Sequence, residues 1–143
     1  MGVEEVRALL EGNTGIIARP DRQRAERALL DLGVPLDSEF AWFFLNYLIA
    51  LFVSPVSYES ICDVADPTPQ VRHATDFVHE VWELPERYVC FTTCEGEGGY
   101  LYDKESGAVY DFSLVTRDAF VEGREPPRWL SFFEFLRWYL AGE

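Results

Sequence analysis

Cations are scarce in this sequence. Its 143 residues include 12 lysine and arginine residues against 25 aspartate and glutamate residues, which gives a formal net charge of −13. A surface of that sign repels phosphate, so we expect no direct binding of DNA or RNA, whereas a basic partner would be attracted. The excess is regional, because residues 59–111 contain twelve acids and three bases. Carboxylates also keep proteins soluble, and that alternative stays open for this segment.

Cysteine is scarce as well, with Cys62, Cys90 and Cys94 as an odd-numbered set. No secretory signal is recognisable at the N-terminus, so we expect reduced thiols in a cytoplasmic protein. On one continuous strand Cys90 and Cys94 would lie about 13 Å apart, at about 3.3 Å per residue. That separation is too large for a disulfide, so both thiols are expected to serve packing.

Long hydrophobic runs are absent. The most apolar stretch, residues 40–53, is interrupted by Asn46 and is shorter than the about 20 residues that span a membrane. We therefore expect no membrane partner and predict a buried core helix here, capped by Asp37 or Ser38 and extending to about Phe52.

The residues that are present predict an α+β fold with a single domain. Hydrophobic residues make up 48% and aromatic residues 15% of the chain, which excludes wholesale disorder. We expect an antiparallel-rich mixed sheet packed with N-terminal, central and C-terminal helices, the core spanning about 21–141 and residues 1–20 forming a helix and a connector. Periodicity predicts helices at 3–11, 22–32, 70–81 and 129–140, and strands at 57–64, 88–92, 100–103 and 108–111.

The segment 88–112 is the most informative part of the chain. It combines strand-forming residues with a glycine bend at Gly96, Gly98 and Gly99 and a hairpin that turns at 104–107. Its many carboxylates and neighbouring tyrosines suggest a rigid acidic surface that holds a protein partner, with carboxylates steering the encounter and tyrosines as anchors. The competing interpretation is that alternate tyrosines fill the core face of the sheet. The predicted partner-binding residues are Tyr58, Glu59, Glu95, Glu97, Tyr100, Tyr102, Asp103, Glu105, Tyr110 and Asp111.

Patterns typical of catalysis or metal binding are weak. His73, Asp76, His79 and Glu80 form the most metal-like set, but His79 would lie more than about 200° around a helix from His73. A solvated helix face is the favoured interpretation. The glycine-rich turn 95–99 carries acids where a phosphate loop needs lysine. We therefore expect no enzyme, no metal and no cofactor.

An arginine cluster on the second predicted helix raises the alternative of contact with nucleic acid or an anionic membrane. The interspersed acids dilute it, and the charge of the whole chain opposes it, so a solvated helix face is favoured. Its members are Arg19, Arg22, Arg24 and Arg27.

The order of these elements resembles the SUKH superfamily, the domain of the fungal Smi/Knr-type cell-wall regulators and of many bacterial immunity proteins. The motifs are Leu32-Gly-Val-Pro35, Phe40-x-x-Phe-Phe-Leu-Asn46, Pro85 before a strand, Tyr100-Leu-Tyr-Asp-x-x-x-Gly-Ala-Val-Tyr110 and Ser131-Phe-Phe-Glu-Phe-Leu136. They cover roughly residues 29–140. One departure is that Tyr47, and not glycine, follows Asn46.

The resemblance implies a non-enzymatic immunity protein of a polymorphic toxin or contact-dependent inhibition system. Such a protein binds and neutralises a cognate toxin, often a nuclease or another toxin of such a system, and the acidic surface favours a basic toxin domain. We expect the chain to act in the cytoplasm as a monomer or a weak homodimer. The alternative is a regulatory or scaffolding domain of the Smi/Knr type that binds a host protein.

Overall fold

Six helices and five short strands form the fold within residues 2–143, the part of the chain that the computed structural model describes. The α+β fold class is confirmed. The elements in chain order are α1 (Val3–Glu11), β1 (Ile16–Ala18), α2 (Arg22–Asp31), α3 (Glu39–Asn46), β2 (Tyr47–Ile49), α4 (Gln70–Glu80), β3 (Tyr88–Cys90), β4 (Gly98–Asp103), β5 (Val109–Ser113), α5 (Arg117–Val121) and α6 (Phe132–Ala141).

The strands form two separate antiparallel sheets and not one mixed sheet. β1 pairs with β2, and β3, β4 and β5 form a meander with β4 in the centre. In the meander Tyr88 lies opposite Asp103, and Tyr100 lies opposite Asp111. The predicted hairpin is therefore confirmed, and Gly107 at its turn has a φ of +82°, which glycine adopts without steric cost.

The three-stranded sheet is covered on both faces. Tyr100 and Tyr102 belong to one apolar cluster with Phe40 of α3 and Phe132 of α6, whereas the intervening Leu101 belongs to a second cluster with residues of α4 and α5. Successive side chains of a strand point to opposite faces, so every residue from 99 to 103 is buried. This sheet can therefore meet a partner only at its edges and turns.

The four helices predicted at 3–11, 22–32, 70–81 and 129–140 are confirmed as α1, α2, α4 and α6, and side chains cap α2, α3 and α6. The Asp21 side chain accepts a hydrogen bond from Arg24 N at the start of α2, and Ser38 caps α3 by accepting one from Ala41 N. At α6, Ser131 accepts from Glu134 N, and the Glu134 carboxylate accepts from Leu130 N, one residue before the position that a capping box uses.

The prediction that the third helix continues to about Phe52 is wrong. α3 ends at Asn46, and the next three residues form β2, which pairs with β1. The structure of this apolar run therefore depends on a segment that is distant in the sequence, and local periodicity does not reveal such a partner. Beyond β2 the chain lies at the surface, where Leu51 is 86% and Val53 is 89% exposed.

Further predictions about local structure are wrong. The strand predicted at 57–64 is reduced to a single bridge between Ile61 and Thr92, and β1 and α5 were not predicted. Helical periodicity over 70–81 would place Phe77 and Val81 on the inward face, but both are exposed. Residues 1–20, predicted as helix and connector, also supply core side chains, namely Val6, Leu10 and Ile16.

The interpretation of the arginine cluster as a solvated face is wrong for Arg19. Its side chain is fully buried and donates hydrogen bonds to Phe44 O and to Tyr47 O. It also pairs with the carboxylates of Asp63 and Asp66. Arg19 thus holds the end of α3, the start of β2 and the 63–66 loop together.

We expect Arg19→Met to lower the free energy of unfolding by about 3–5 kcal/mol, because removing one partner of a buried ion pair leaves the other charge uncompensated. Chemical denaturation measures the change. The matched control is Arg22→Met. The Arg22 guanidinium donates to the Asn46 side chain at the surface, so its loss should cost less than about 1 kcal/mol. Equal effects of the two substitutions would contradict this role of Arg19.

Candidate protein-interaction surface

Three of the ten predicted contact residues lie inside the protein. Tyr100, Tyr102 and Asp103 are 7%, 2% and 1% exposed. The ring of Tyr102 stacks on Phe40 at 4.4 Å, and the Tyr100 hydroxyl lies 2.9 Å from Ser57 Oγ. The prediction that these three side chains contact a partner is therefore wrong, and the competing interpretation of the two tyrosines as core residues is confirmed.

Asp103 holds the β4–β5 turn in place. Its carboxylate accepts from Arg87 Nε at 3.0 Å, from Glu105 N at 2.9 Å and from Ser106 Oγ at 2.8 Å. Burial acts to raise the pKa of this carboxyl, but the hydrogen bonds outweigh it and keep the pKa below its ordinary value. A lowered native pKa contributes stability above the ordinary carboxyl pKa, and this contribution is lost as the pH falls through the lowered one.

Three more of the predicted residues have partners of their own. Glu105 lies 3.3 Å from Arg87, and Asp111 lies 2.8 Å from Arg128. The Tyr110 ring is half-buried and packs edge-on against Tyr88 at 5.6 Å. These two carboxylates carry local counter-charges, so they contribute less to a negative surface than the sequence suggests.

The remaining four residues, Tyr58, Glu59, Glu95 and Glu97, lie on two adjacent segments. Glu59 Oε2 accepts from Thr93 Oγ1 at 2.5 Å and from Glu95 N at 3.2 Å. The Tyr139 hydroxyl donates to Glu59 O at 3.0 Å. Glu59 thus joins the loop that carries Tyr58 to the acidic turn at 95–97.

The loop preceding Glu59 is apolar and exposed. Tyr58 is fully exposed and Val56 is 40% exposed, and Leu51 and Val53 in the same loop are exposed as well. Residues 52–60 surround a cleft of about 330 Å³ whose wall includes Tyr139 of α6. We refer to the loop 51–59 and the turn 95–97 together as the loop–turn surface.

Backbone contacts hold this loop at its base. Ala50 N and Leu51 N both donate to Gly15 O, at 2.8 and 3.0 Å, and Ser54 Oγ donates to Tyr139 O at 2.7 Å. A Cβ on residue 15 would lie 1.5 Å from Leu51 O, so only glycine permits this approach. The apolar side chains of the loop are therefore exposed on a fixed base.

The acidic turn has an unusual backbone. It is a tight turn over Glu95–Glu97 in which Gly96 and Glu97 have φ angles of +64° and +63°. Glycine adopts this left-handed conformation freely, but a side chain costs about 1–2 kcal/mol there. Residues in such conformations concentrate at functional sites. The predicted bend is confirmed, and Glu97 is its strained residue.

The thiols correct the predicted spacing. Cys90 Sγ and Cys94 Sγ are 3.3 Å apart and not about 13 Å, because β3 ends at Cys90 and the chain bends through the next three residues. The pleated-strand rule applies only while the strand continues.

The metal-like residues of α4 are separated in the structure. Asp76 pairs with Arg72 at 3.2 Å, and a ring nitrogen of His79 lies 2.8 Å from Tyr88 O. Among residues 2–143, no three histidine, cysteine or acidic side chains are grouped so as to hold a metal ion. Within the same range, no helix has both the length and the apolar character needed to cross a bilayer.

Comparison of the chain with protein-family models, with curated proteins and with solved structures finds no match. The resemblance to the SUKH superfamily stays a prediction.

Sequence reasoning missed the apolar half of the loop–turn surface. Leu51, Val53 and Val56 were assigned to a core helix or left unassigned, since they continue the most apolar run of the chain. The available signal is Ser54-Pro55, because proline lacks a backbone N–H and disfavours helix at the residue before it.

We expect Asp103→Asn to lower the free energy of unfolding by about 2 kcal/mol at neutral pH, because hydrogen bonds to a charged acceptor are lost. The variant should also lose less stability than the parent between pH 5 and pH 2, because asparagine does not titrate and the stabilising Asp103 carboxylate is no longer there to be protonated. Denaturation across that range measures both effects. Asp118→Asn, at an exposed pair with Arg117, is the control and should change stability little.

We expect Glu97→Gly to raise the free energy of unfolding by about 1 kcal/mol by relieving the left-handed conformation. Thermal unfolding measures the gain. Glu83→Gly is the matched control, since Glu83 has a φ of +55° outside the loop–turn surface, and it should give a similar gain. A loss of stability in Glu97→Gly alone would mean that its side chain stabilises the turn.

Proposed function

We propose that this chain is a non-enzymatic immunity protein that binds a basic toxin domain through the loop–turn surface in the bacterial cytoplasm. The observation that carries the proposal is the junction at Glu59, where an exposed apolar loop meets an acidic turn. The element order that resembles the SUKH superfamily supports the choice of a toxin as the partner.

The two halves of the surface would contribute differently to binding. An exposed ion pair contributes about 0.2–1 kcal/mol, whereas nanomolar affinity requires about 12 kcal/mol. Carboxylates alone therefore supply only a small part of a tight complex. Tyr58, Leu51 and Val53 offer the apolar area that hot spots need, and tyrosine is enriched at such positions.

The acidic half would set the rate and orientation of encounter. Glu95 and Glu97 are exposed and form no ion pair within the described residues, unlike Glu105 and Asp111. The charges of Glu95 and Glu97 are therefore available to a cationic partner, and complementary charge accelerates association at low ionic strength. Inhibition would follow from covering the active site of the toxin or blocking the path of its substrate.

Co-expression with the toxin encoded beside this chain tests the proposal. We expect the two proteins to copurify and the chain to restore growth, and Tyr58→Ala to weaken binding by about 2 kcal/mol, roughly thirtyfold in Kd. Leu130→Ala is the control, because Leu130 is 74% exposed outside the surface.

Charge is tested separately with Glu95→Gln/Glu97→Gln, which should slow association about tenfold at low salt and have little effect at high salt. Glu5→Gln/Glu26→Gln removes the same charge from α1 and α2 and serves as the control. Failure to copurify and to protect would refute the proposal. Binding without protection would favour the regulatory or scaffolding alternative.

A further inference from the structure

Two of the three thiols face each other where β3 ends. Cys90 Sγ lies 3.3 Å from Cys94 Sγ, and the two sulfurs approach the same carbonyl oxygen, Thr92 O, at 3.4 and 3.8 Å. A Cβ on residue 99 would lie 3.3 Å from Cys94 Sγ, so Gly99 leaves the room that this sulfur occupies. Packing alone does not require sulfurs in contact, since a buried thiol behaves as a small apolar group.

The two thiols differ in access and in acidity. Cys90 is fully buried, whereas Cys94 is partly exposed. The hydrogen bond between the two sulfurs lowers the pKa of Cys94, against the opposing effect of burial. The same bond, together with burial, raises the pKa of Cys90. A small solute therefore reaches the more acidic sulfur first, and thiolate is the reactive form.

We propose that Cys90 and Cys94 are an oxidation site at which a hydroperoxide closes a disulfide, with Cys94 as the attacking and Cys90 as the resolving residue. The Cys94 thiolate attacks one peroxide oxygen, so an S–O bond forms, the O–O bond breaks and the second oxygen leaves as hydroxide or alkoxide. The product is a sulfenic acid on Cys94.

Cys90 completes the reaction. Its sulfur attacks the Cys94 sulfur, the S–S bond forms, the S–O bond breaks, and the hydroxyl group leaves as water with the proton of the Cys90 thiol. Two thiols are thereby oxidised by two electrons, and one hydroperoxide is reduced. The sulfurs need to approach from 3.3 Å to about 2.05 Å, and the segment between them lies outside regular strand structure.

Cys62 is a poor competitor for the first step. Burial raises the pKa of its thiol to about 11, so its thiolate is rare at neutral pH. Its role in the experiment is that of an internal reference, because trypsin separates it from the other two. Cleavage after Arg87 and Lys104 places Cys90 and Cys94 on the peptide 88–104, and Cys62 on the peptide 28–72.

Peptide mapping after mild hydrogen peroxide tests the proposal. The reduced protein is oxidised, its remaining thiols are alkylated, and the tryptic peptides are weighed. We expect the peptide 88–104 to lose two hydrogens and take up no alkylating agent, Cys62 to be alkylated, and a thiol reductant to reverse the change. An unmodified peptide 88–104 would overturn the proposal, as would a cross-link between the two peptides.

Variants separate the two roles. Cys90→Ser should leave a sulfenic acid on Cys94 that dimedone traps. Cys94→Ser should slow peroxide consumption by about tenfold or more, because the partly exposed, more acidic thiol is gone. Cys62→Ser should behave as the parent. If Cys94→Ser consumes peroxide at the parental rate while its circular dichroism spectrum is unchanged, the assignment of Cys94 as the attacking residue is wrong.

Discussion

The buried guanidinium of Arg19 is the contact on which the arrangement of this protein depends. Helix termini leave carbonyl groups without intrahelical partners, and Arg19 satisfies Phe44 O near the end of α3 and Tyr47 O just after it. The chain can therefore leave the helix at Asn46 and continue at once as β2. Because β2 pairs with β1, Leu51 meets Gly15, and the loop that follows is forced to the surface.

The scarcity of cations explains how a negative surface arises without a dedicated acidic motif. Several arginines form ion pairs within the protein and so do not add positive charge to its surface. Arg19 is buried, and Arg87 binds Asp103. Arg128 binds Asp111 and lies 4.5 Å from the Trp129 ring. Acids that no arginine reaches, such as Glu95 and Glu97, have no local counter-charge among the described residues. The strength of the field at a given place thus depends on which acids an arginine reaches and not on the local density of acids in the sequence.

Local patterns predicted the helices well, because each helix carries its own information. Asp21, Ser38 and Ser131 are caps whose partners lie three residues away, and a window of the sequence contains both. The strands β1 and β2 were not predicted, because each is three residues long and is stabilised by pairing with the other, which is distant in the sequence. No local pattern distinguishes such a pair from an extension of the neighbouring helix or connector.

Only part of the candidate site could be predicted from the sequence, and the reason is again that the other part depends on distant residues. Glu95 and Glu97 follow from a glycine-rich acidic turn, but the burial of Tyr100 and Asp103 depends on a sheet that is covered on both faces. A strand with alternating tyrosines would look the same if one face were open to solvent. Only the positions of α3 and α6 on one side and of α4 and α5 on the other decide the question.

The end of β3 is where the core and the surface are connected. Up to Cys90 the strand obeys the pleat, and beyond it Thr92 Oγ1 accepts from Tyr100 N while Thr93 Oγ1 donates to Glu59. The same bend brings the Cys94 sulfur back to Cys90. One short irregular segment therefore sets both the geometry of the thiol pair and the position of the acidic turn. A covalent change at the sulfurs would therefore act next to one of the turns through which a partner can reach this sheet, since the faces are covered.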